Sequence, residues 1–148
     1  MDTDNIGIYG HSYGGYGAVA ASEIISECKA SIDIDGSILN PIKQITKPVY
    51  FIRSESGKKY GDNTIEETWK DISTKGYMAE VKNTMHRDYI DFNYIGIEGI
   101  YGTINPMELF TYANKTIIDY FNLYLKEGDE SEFLKSVVDN KNVVFSKK

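Results

Sequence analysis

Ile6 and Ile8 open the chain's first apolar run, which ends in Gly10-His11-Ser12-Tyr13-Gly14-Gly15; small residues from Gly17 to Ala21 follow. An apolar run, a serine bracketed by glycines and a small-residue segment predict strand, sharp turn and helix. That helix is expected from Gly14 to about Glu27, with Val19, Ile24 and Ile25 on its sheet-facing side. Alternation in Ser31-Ile32-Asp33-Ile34 predicts a short strand over residues 30–34, closed by a turn at Asp35-Gly36. Val49-Tyr50-Phe51-Ile52 is apolar without interruption, as in a strand covered on both faces, and a polar loop is expected from Ser54 to Asn63.

Ile65, Trp69 and Ile72 recur at helical spacing, which predicts a helix capped by Asp62 or Asn63 and stopped at Lys75-Gly76, with Trp69 in the core. Tyr77 to Val81 reads as the next strand, and Asn83 to Asp91 as a loop beyond its end. Residues 91–103 are rich in Gly, Ile and Tyr without a period, which suits a lid or pocket wall. In Asn105-Pro106-Met107-Glu108 an N-cap, a first-turn proline and a capping-box glutamate open a long helix. Its expected apolar stripe is Phe110, Ala113, Ile117, Phe121 and Tyr124, and its expected stop is Gly128. A short helix at Phe133-Leu134 and an edge strand over 143–145 complete the chain. Strands alternating with helices predict an α/β fold with a mostly parallel sheet flanked by helices, and a ligand crevice beyond the carboxyl ends of the strands.

With 148 residues, 41% of them hydrophobic, the chain is one domain or part of one. A strand bearing such a serine with almost nothing before it reads as a single partial domain over 1–148, the C-terminal part of a longer fold. The formal net charge of −6 and the lack of a Lys/Arg cluster argue against nucleic acid, with Lys147 and Lys148 expected as a frayed end. Cys28 has no partner for an intrachain disulfide, so the compartment stays unassigned. No run reaches the roughly 18 apolar residues of a membrane span, and the first residues are acidic rather than signal-like.

Lifting a serine hydroxyl clear of a strand-to-helix turn strains its backbone, and Gly10 and Gly14 are expected to remove the collisions around it. Serine needs a base within hydrogen-bond reach and a third group to orient that base. The chain has two histidines. His11 adjoins Ser12 at a tight turn, where neighbours point apart, and is expected to pack behind the turn. His86, on a loop after a strand, is the candidate base, and the order serine first, histidine last is that of an α/β-hydrolase. Asp35 and Asp62 both follow strands and divide the candidacy for the acid evenly. Asp33 reads as a strand-end group, and Asp88 and Asp91 as loop-stabilising. The Tyr13 N–H, at the helix start, is the candidate oxyanion donor. This chemistry calls for no cofactor and no metal.

The segments Gly10 to Gly15, Ile34-Asp35-Gly36, Lys47 to Glu55, His86 to Phe92 and Gly102 to Pro106 together resemble the platelet-activating-factor acetylhydrolase group of α/β-hydrolases and its bacterial relatives, and dienelactone-hydrolase-like enzymes more broadly. The likeness spans roughly residues 4 to 128. It implies Ser12 as nucleophile and His86 as base, and it places the acid after the strand that follows the nucleophile helix, at Asp35. Ser54-Glu55 stands where families using an acid of the Asp62 kind carry Gly-x-x-Asp, which also favours Asp35. Short acyl esters are the implied small-molecule substrates, and residues 92–104 would wall an acyl pocket. The family's early strands, and the loop that gives a second oxyanion donor, have no counterpart in this sequence. The first strand would then present an open edge inviting self-association. Two alternatives stand beside the esterase: a catalytically incompetent fragment or binding module, and a prolyl-oligopeptidase-type serine peptidase, in which Ser12-Tyr13-Gly14-Gly15-Tyr16 also occurs.

Overall fold

The computed structural model describes residues 3–36, 40–59, 64–96 and 99–148. In chain order the elements are β1 (Ile6–His11), α1 (Tyr13–Ile24), β2 (Cys28–Ile34), β3 (Val49–Ser54), α2 (Glu55–Lys59), α3 (Thr64–Lys70) and β4 (Gly76–Val81). Two 3₁₀ turns (His86–Tyr89 and Asp91–Asn93), α4 (Pro106–Leu125), α5 (Glu130–Val138) and β5 (Val143–Lys147) complete it. The strands lie in sequence order, β1 to β4 parallel and β5 antiparallel on β4. This is the mostly parallel, helix-flanked sheet that the alternation predicts.

The unbroken apolar run of β3 has a direct cause. Tyr50 and Ile52 point to one face, where they join Tyr112, Tyr120 and Phe133 of α4 and α5. Val49 and Phe51 point to the other, against Val19, Ile65 and Ile72. All four β3 side chains are fully buried, so neither face can be polar.

Several expectations shift. Helix α1 buries Gly15, Ala18, Val19 and Ser22 and ends at Ile24, which is 84% exposed. Small residues, rather than Ile24 and Ile25, let this helix lie close on the sheet. The most deeply buried positions of α4 are Leu109, Tyr112, Thr116 and Tyr120, one position round from the expected stripe; Ile117, Phe121 and Tyr124 of that stripe are partly buried and pack against the same core, while Phe110 is exposed. Tyrosine is the reason: the Tyr120 ring packs 5.5 Å from Tyr50 and 5.4 Å from Phe133, while the hydroxyls of Tyr77 and Tyr124 bond each other at 2.9 Å.

At the start of α4, Asn105 caps Met107 N and Glu108 N as expected, but the Glu108 carboxylate accepts from Asn142 rather than closing a capping box. At its end Glu127, with φ 53°, takes the left-handed position, and Gly128 N donates to Asn122 O. Helix α3 stops at Lys70, so Ile72 lies beyond it, bridged to Ile45. The expected loop after β3 begins as α2. Nor are the last two residues frayed. Lys147 belongs to β5, Lys148 N donates to Gly76 O, and its Nζ bonds the Trp69 and Lys70 carbonyls at the end of α3.

Candidate active site

Strand β1 ends at His11 and α1 begins at Tyr13, which leaves Ser12 as the hinge, at φ 58°, ψ −130°. A non-glycine residue holds such a conformation only when its surroundings over-determine it. Ser12 N donates to Ile34 O at 2.9 Å, and Ser12 O accepts from Gly15 N at 2.9 Å. A Cβ on Gly10 would overlap the Gly14 carbonyl, and one on Gly15 would overlap the carboxylate of Asp33. The expected need for glycine at 14 is not met, since a Cβ there would find open space. Glycine is required at 10 and 15. Buried Asp33 also accepts from Gly36 N at 2.6 Å, so one carboxylate fixes the turn after β2 and packs against the start of α1.

Three side chains from separate elements meet above the carboxyl ends of the strands. Ser12 Oγ lies 3.0 Å from His86 Nε2, and His86 Nδ1 lies 2.8 Å from Asp35 Oδ2. Asp35, itself at φ 48°, also accepts from Ser54 N at its other oxygen and from Ser54 Oγ, both at 2.7 Å. Burial alone would push this carboxyl up, but the bonds from His86 and Ser54 outweigh it and hold it below the ordinary carboxylate range. The same bond to Asp35 raises the His86 imidazole above its ordinary value against the opposing effect of burial. In neutral His86, Nδ1–H donates to Asp35, and the Nε2 lone pair accepts from the Ser12 hydroxyl.

The His86 loop is tied down beneath its tip. Asp88 is fully buried and accepts from Met85 N at 2.7 Å, Gly102 N at 2.9 Å and Asn93 Nδ2 at 3.0 Å. These bonds fit its expected loop-stabilising place and join the 102 segment to the base loop. Asp91 opens the second 3₁₀ turn, and its carbonyl accepts from Tyr94 N.

His11 departs from expectation. It does not point away behind the turn: its Nε2 lies 3.1 Å from the His86 carbonyl, and the two rings are 4.6 Å apart. Tyr13 has an exposed side chain, and its N–H belongs to the first turn of α1, whose donors lack intrahelical partners. Asp62 lies outside the described residues, as does the expected cap at 62–63.

A cleft of ≈300 Å³ opens beside Asp35 and His86, lined by Arg53, Ile65, Met85, Arg87 and Ile100 among others. Ile100 comes from the expected wall segment. Arg53 is buried and paired with Glu66 at 2.7 Å. Among the described residues no cluster of His, Cys, Asp and Glu could hold a metal ion, and no helix is long and apolar enough to cross a membrane.

Sequence reasoning missed Ser54 and His11. Ser54 could be found only from the β2/β3 register, in which Ile34 stands opposite Ile52. His11 could be found only by knowing how far the 86 loop leans over β1.

The family model of platelet-activating factor acetylhydrolase, isoform II, matches residues 1–135. A ferulic acid esterase from Streptomyces cinnamoneus is similar in structure, with a TM-score of 0.82 and 20% identity, over 98% of this chain and 47% of that one. At that identity the likeness is one of α/β-hydrolase fold, and the chain spans about half the length of that esterase. No curated protein matches the chain.

Proposed function

Since this chain belongs to the platelet-activating factor acetylhydrolase, isoform II family of α/β-hydrolases, we propose that it cleaves short-acyl carboxylic esters through Ser12, His86 and Asp35 by way of an acyl-enzyme. The observation that carries this reading is the unbroken hydrogen-bonded path from Ser12 Oγ through His86 to Asp35, at 3.0 and 2.8 Å.

In this mechanism Ser12 Oγ adds to the ester carbonyl carbon as its proton passes to His86 Nε2. Asp35 holds Nδ1–H and favours the imidazolium. The Tyr13 N–H, at the positive end of α1, donates to the oxyanion. Collapse expels the alcohol, which takes the proton from Nε2 and leaves Ser12 acylated. Water then attacks the acyl carbon, gives its proton to His86, and the carboxylic acid departs as Ser12 recovers its own.

We read residues 1–148 as a partial domain of this fold. Supporting that, β1 has β2 as its only neighbour among the described strands, and the chain spans about half the length of the structurally similar esterase. The same open edge favours a second reading, a unit of the fold that binds esters without turning them over. The peptidase alternative draws no support from the family match.

Hydrolysis of a p-nitrophenyl short-chain ester, by the chain and by any longer polypeptide that carries it, tests the reading. Ser12→Ala should abolish turnover, and an undiminished rate in that variant removes the enzyme. Asp35→Asn should cost more than Asp62→Asn; the reverse order moves the acid to Asp62.

A further inference from the structure

His11 is the one imidazole that the proposed mechanism leaves without a task, yet it touches the base. It ends β1, directly before Ser12, and is half-buried. Its Nε2 faces the carbonyl oxygen of His86 at 3.1 Å. A carbonyl oxygen only accepts, so Nε2 carries the proton and neutral His11 keeps its lone pair on Nδ1. Its ring stands 4.6 Å from that of His86, tilted by 30°, and 6.4 Å from Tyr89. One side chain thus supports both the backbone and the ring face of the residue that must meet Ser12.

We propose that His11 is a positioning residue: as the neutral Nε2–H tautomer it ties the strand end bearing Ser12 to the loop bearing His86 and holds the His86 imidazole in line between Ser12 Oγ and Asp35 Oδ2. The inference rests on the triad reading above. Its physical basis is that His86 sits on a loop whose fixed points, the Asp88 bonds to Met85 N and Gly102 N, lie behind it. Those bonds anchor the loop but do not set how far it leans toward β1. The contact with His11 does, and a displacement of about 1 Å at a reacting group can cost about a hundredfold in rate.

A charge consequence follows. The groups facing this imidazole pair are the Asp35 carboxylate from the end of β2 and the Arg87 guanidinium beside His86; the Tyr89 ring of the same turn also lies near His11, but its hydroxyl donates to the Arg53 carbonyl. Asp35 is the acid among them, and it lies on His86 Nδ1. The first proton therefore goes to His86, and a second on His11 places like charges in ring contact. Burial, and then the nearness of His86, hold His11 below its ordinary value.

The test uses the chain itself, with two readouts that need no turnover. One is imidazole NMR from about pH 4 to about pH 9, a range spanning the ordinary histidine value. The other is labelling by a fluorophosphonate, in which Ser12 Oγ displaces fluoride from phosphorus and its proton goes to His86. In the starting chain the two imidazoles should titrate separately, His86 at the higher pH, with a low-field Nδ1–H signal from the bond to Asp35. His11→Phe keeps a ring but no donor. It should weaken that signal and slow labelling about tenfold, the worth of one positioning hydrogen bond. His11→Gln restores a donor and should recover most of the loss with a single remaining titration. His11→Phe labelling at the starting rate with an unchanged Nδ1–H signal overturns the proposal, as does His11→Gln behaving no better than His11→Phe. If labelling is indifferent to Ser12→Ala, it is the triad reading that fails, and the NMR comparison still decides whether His11 holds His86.

Discussion

Ser54 grips Asp35 by both oxygens: its N–H donates to Oδ1 and its hydroxyl to Oδ2, each at 2.7 Å. Asp35 Oδ2 is also the atom that accepts from His86, so the aspartate is fixed from the neighbouring strand before the histidine meets it. Ser54 Oγ is itself held, accepting from Gly57 N at 3.1 Å. Ser54→Ala removes the side-chain bond and leaves the backbone one. The carboxylate should then swing, and the rate in the ester assay should fall about tenfold, by the worth of one hydrogen bond to a charged group. The circular dichroism spectrum should not change. A rate equal to that of the starting chain would mean that the backbone N–H suffices.

The acid limb of activity follows from His86. In the proposed mechanism attack needs neutral Nε2, and the bond to Asp35 lifts the imidazole above 6.5. The kcat/KM profile should therefore fall on acidification through a pKa above that of free histidine. Asp35→Asn removes the cause, so the limb should move down in pH while the plateau drops. The same shift sets a stability window. The folded state binds the His86 proton more tightly than the unfolded chain, so this contribution is full below 6.5 and is lost as pH rises through the raised value. His11 is shifted the other way, and its contribution is full above 6.5 and lost as pH falls through its depressed value. An acid limb below 6.5 in the starting chain would contradict the Asp35–His86 coupling.

Glycines 14 and 15 look equivalent in the sequence and differ in space. A Cβ on Gly15 meets the Asp33 carboxylate, whereas on Gly14 it meets nothing. Gly15→Ala should destabilise by about 1–3 kcal/mol through overpacking. Gly14→Ala, in the first turn of α1, should stabilise by up to about 1 kcal/mol through helix propensity. Urea titrations of both variants check this. Equal costs would mean that the serine turn tolerates no side chain on either residue.

What the sequence revealed and what it hid divide along a physical line. The strand, turn and helix around Ser12 are legible because glycine at 10 and 15 lets the chain double back there, and His86 stands out as the candidate base because so few imidazoles are on offer. Asp35 could not be told from Asp62 by position alone; the family resemblance made that choice. Ser54 stayed hidden because its bond to Asp35 depends on β2/β3 register, a long-range property. The deepest face of α4 is not legible because Tyr112 and Tyr120 lie buried while Phe110 is exposed, which hydropathy ranks the other way. What Ser12, His86 and Asp35 do together is the reading that the ester assay tests.

Asp88 takes three donors without exposure to water. Asp88→Ala strands Met85 N and Gly102 N, each at about 1–3 kcal/mol if it stays buried, and frees the loop that carries His86. Stability and ester turnover should fall together. Asp88→Asn keeps one oxygen for the Met85 and Gly102 amides, and its own amide can be met by a flipped Asn93. It should retain most of the stability. Thermal melts with activity measured on both variants separate the two, and an Asp88→Ala chain with full activity would show that the loop holds itself.

The outer edge of β1 is a further exposed feature among the described residues. Among the described residues β1 pairs with β2 alone, and Tyr9 stands 61% exposed on it, its ring 6.2 Å from Phe121 of α4. An unpaired strand edge is a template for another strand, and charge on the edge strand is the usual deterrent. Apart from the terminal Asn5 side, β1 carries only Ile, Gly, Tyr and one His, with no fixed charge to repel a neighbour. The chain on its own should therefore self-associate in sedimentation velocity, more at higher concentration, and Tyr9→Lys should shift it toward monomer without changing its circular dichroism. A monodisperse monomer at all concentrations would show that the edge is protected as it stands. Monomer together with robust ester turnover would also remove the partial-domain reading, because a lone sheet with the Tyr13 N–H as its donor would then be sufficient for the chemistry.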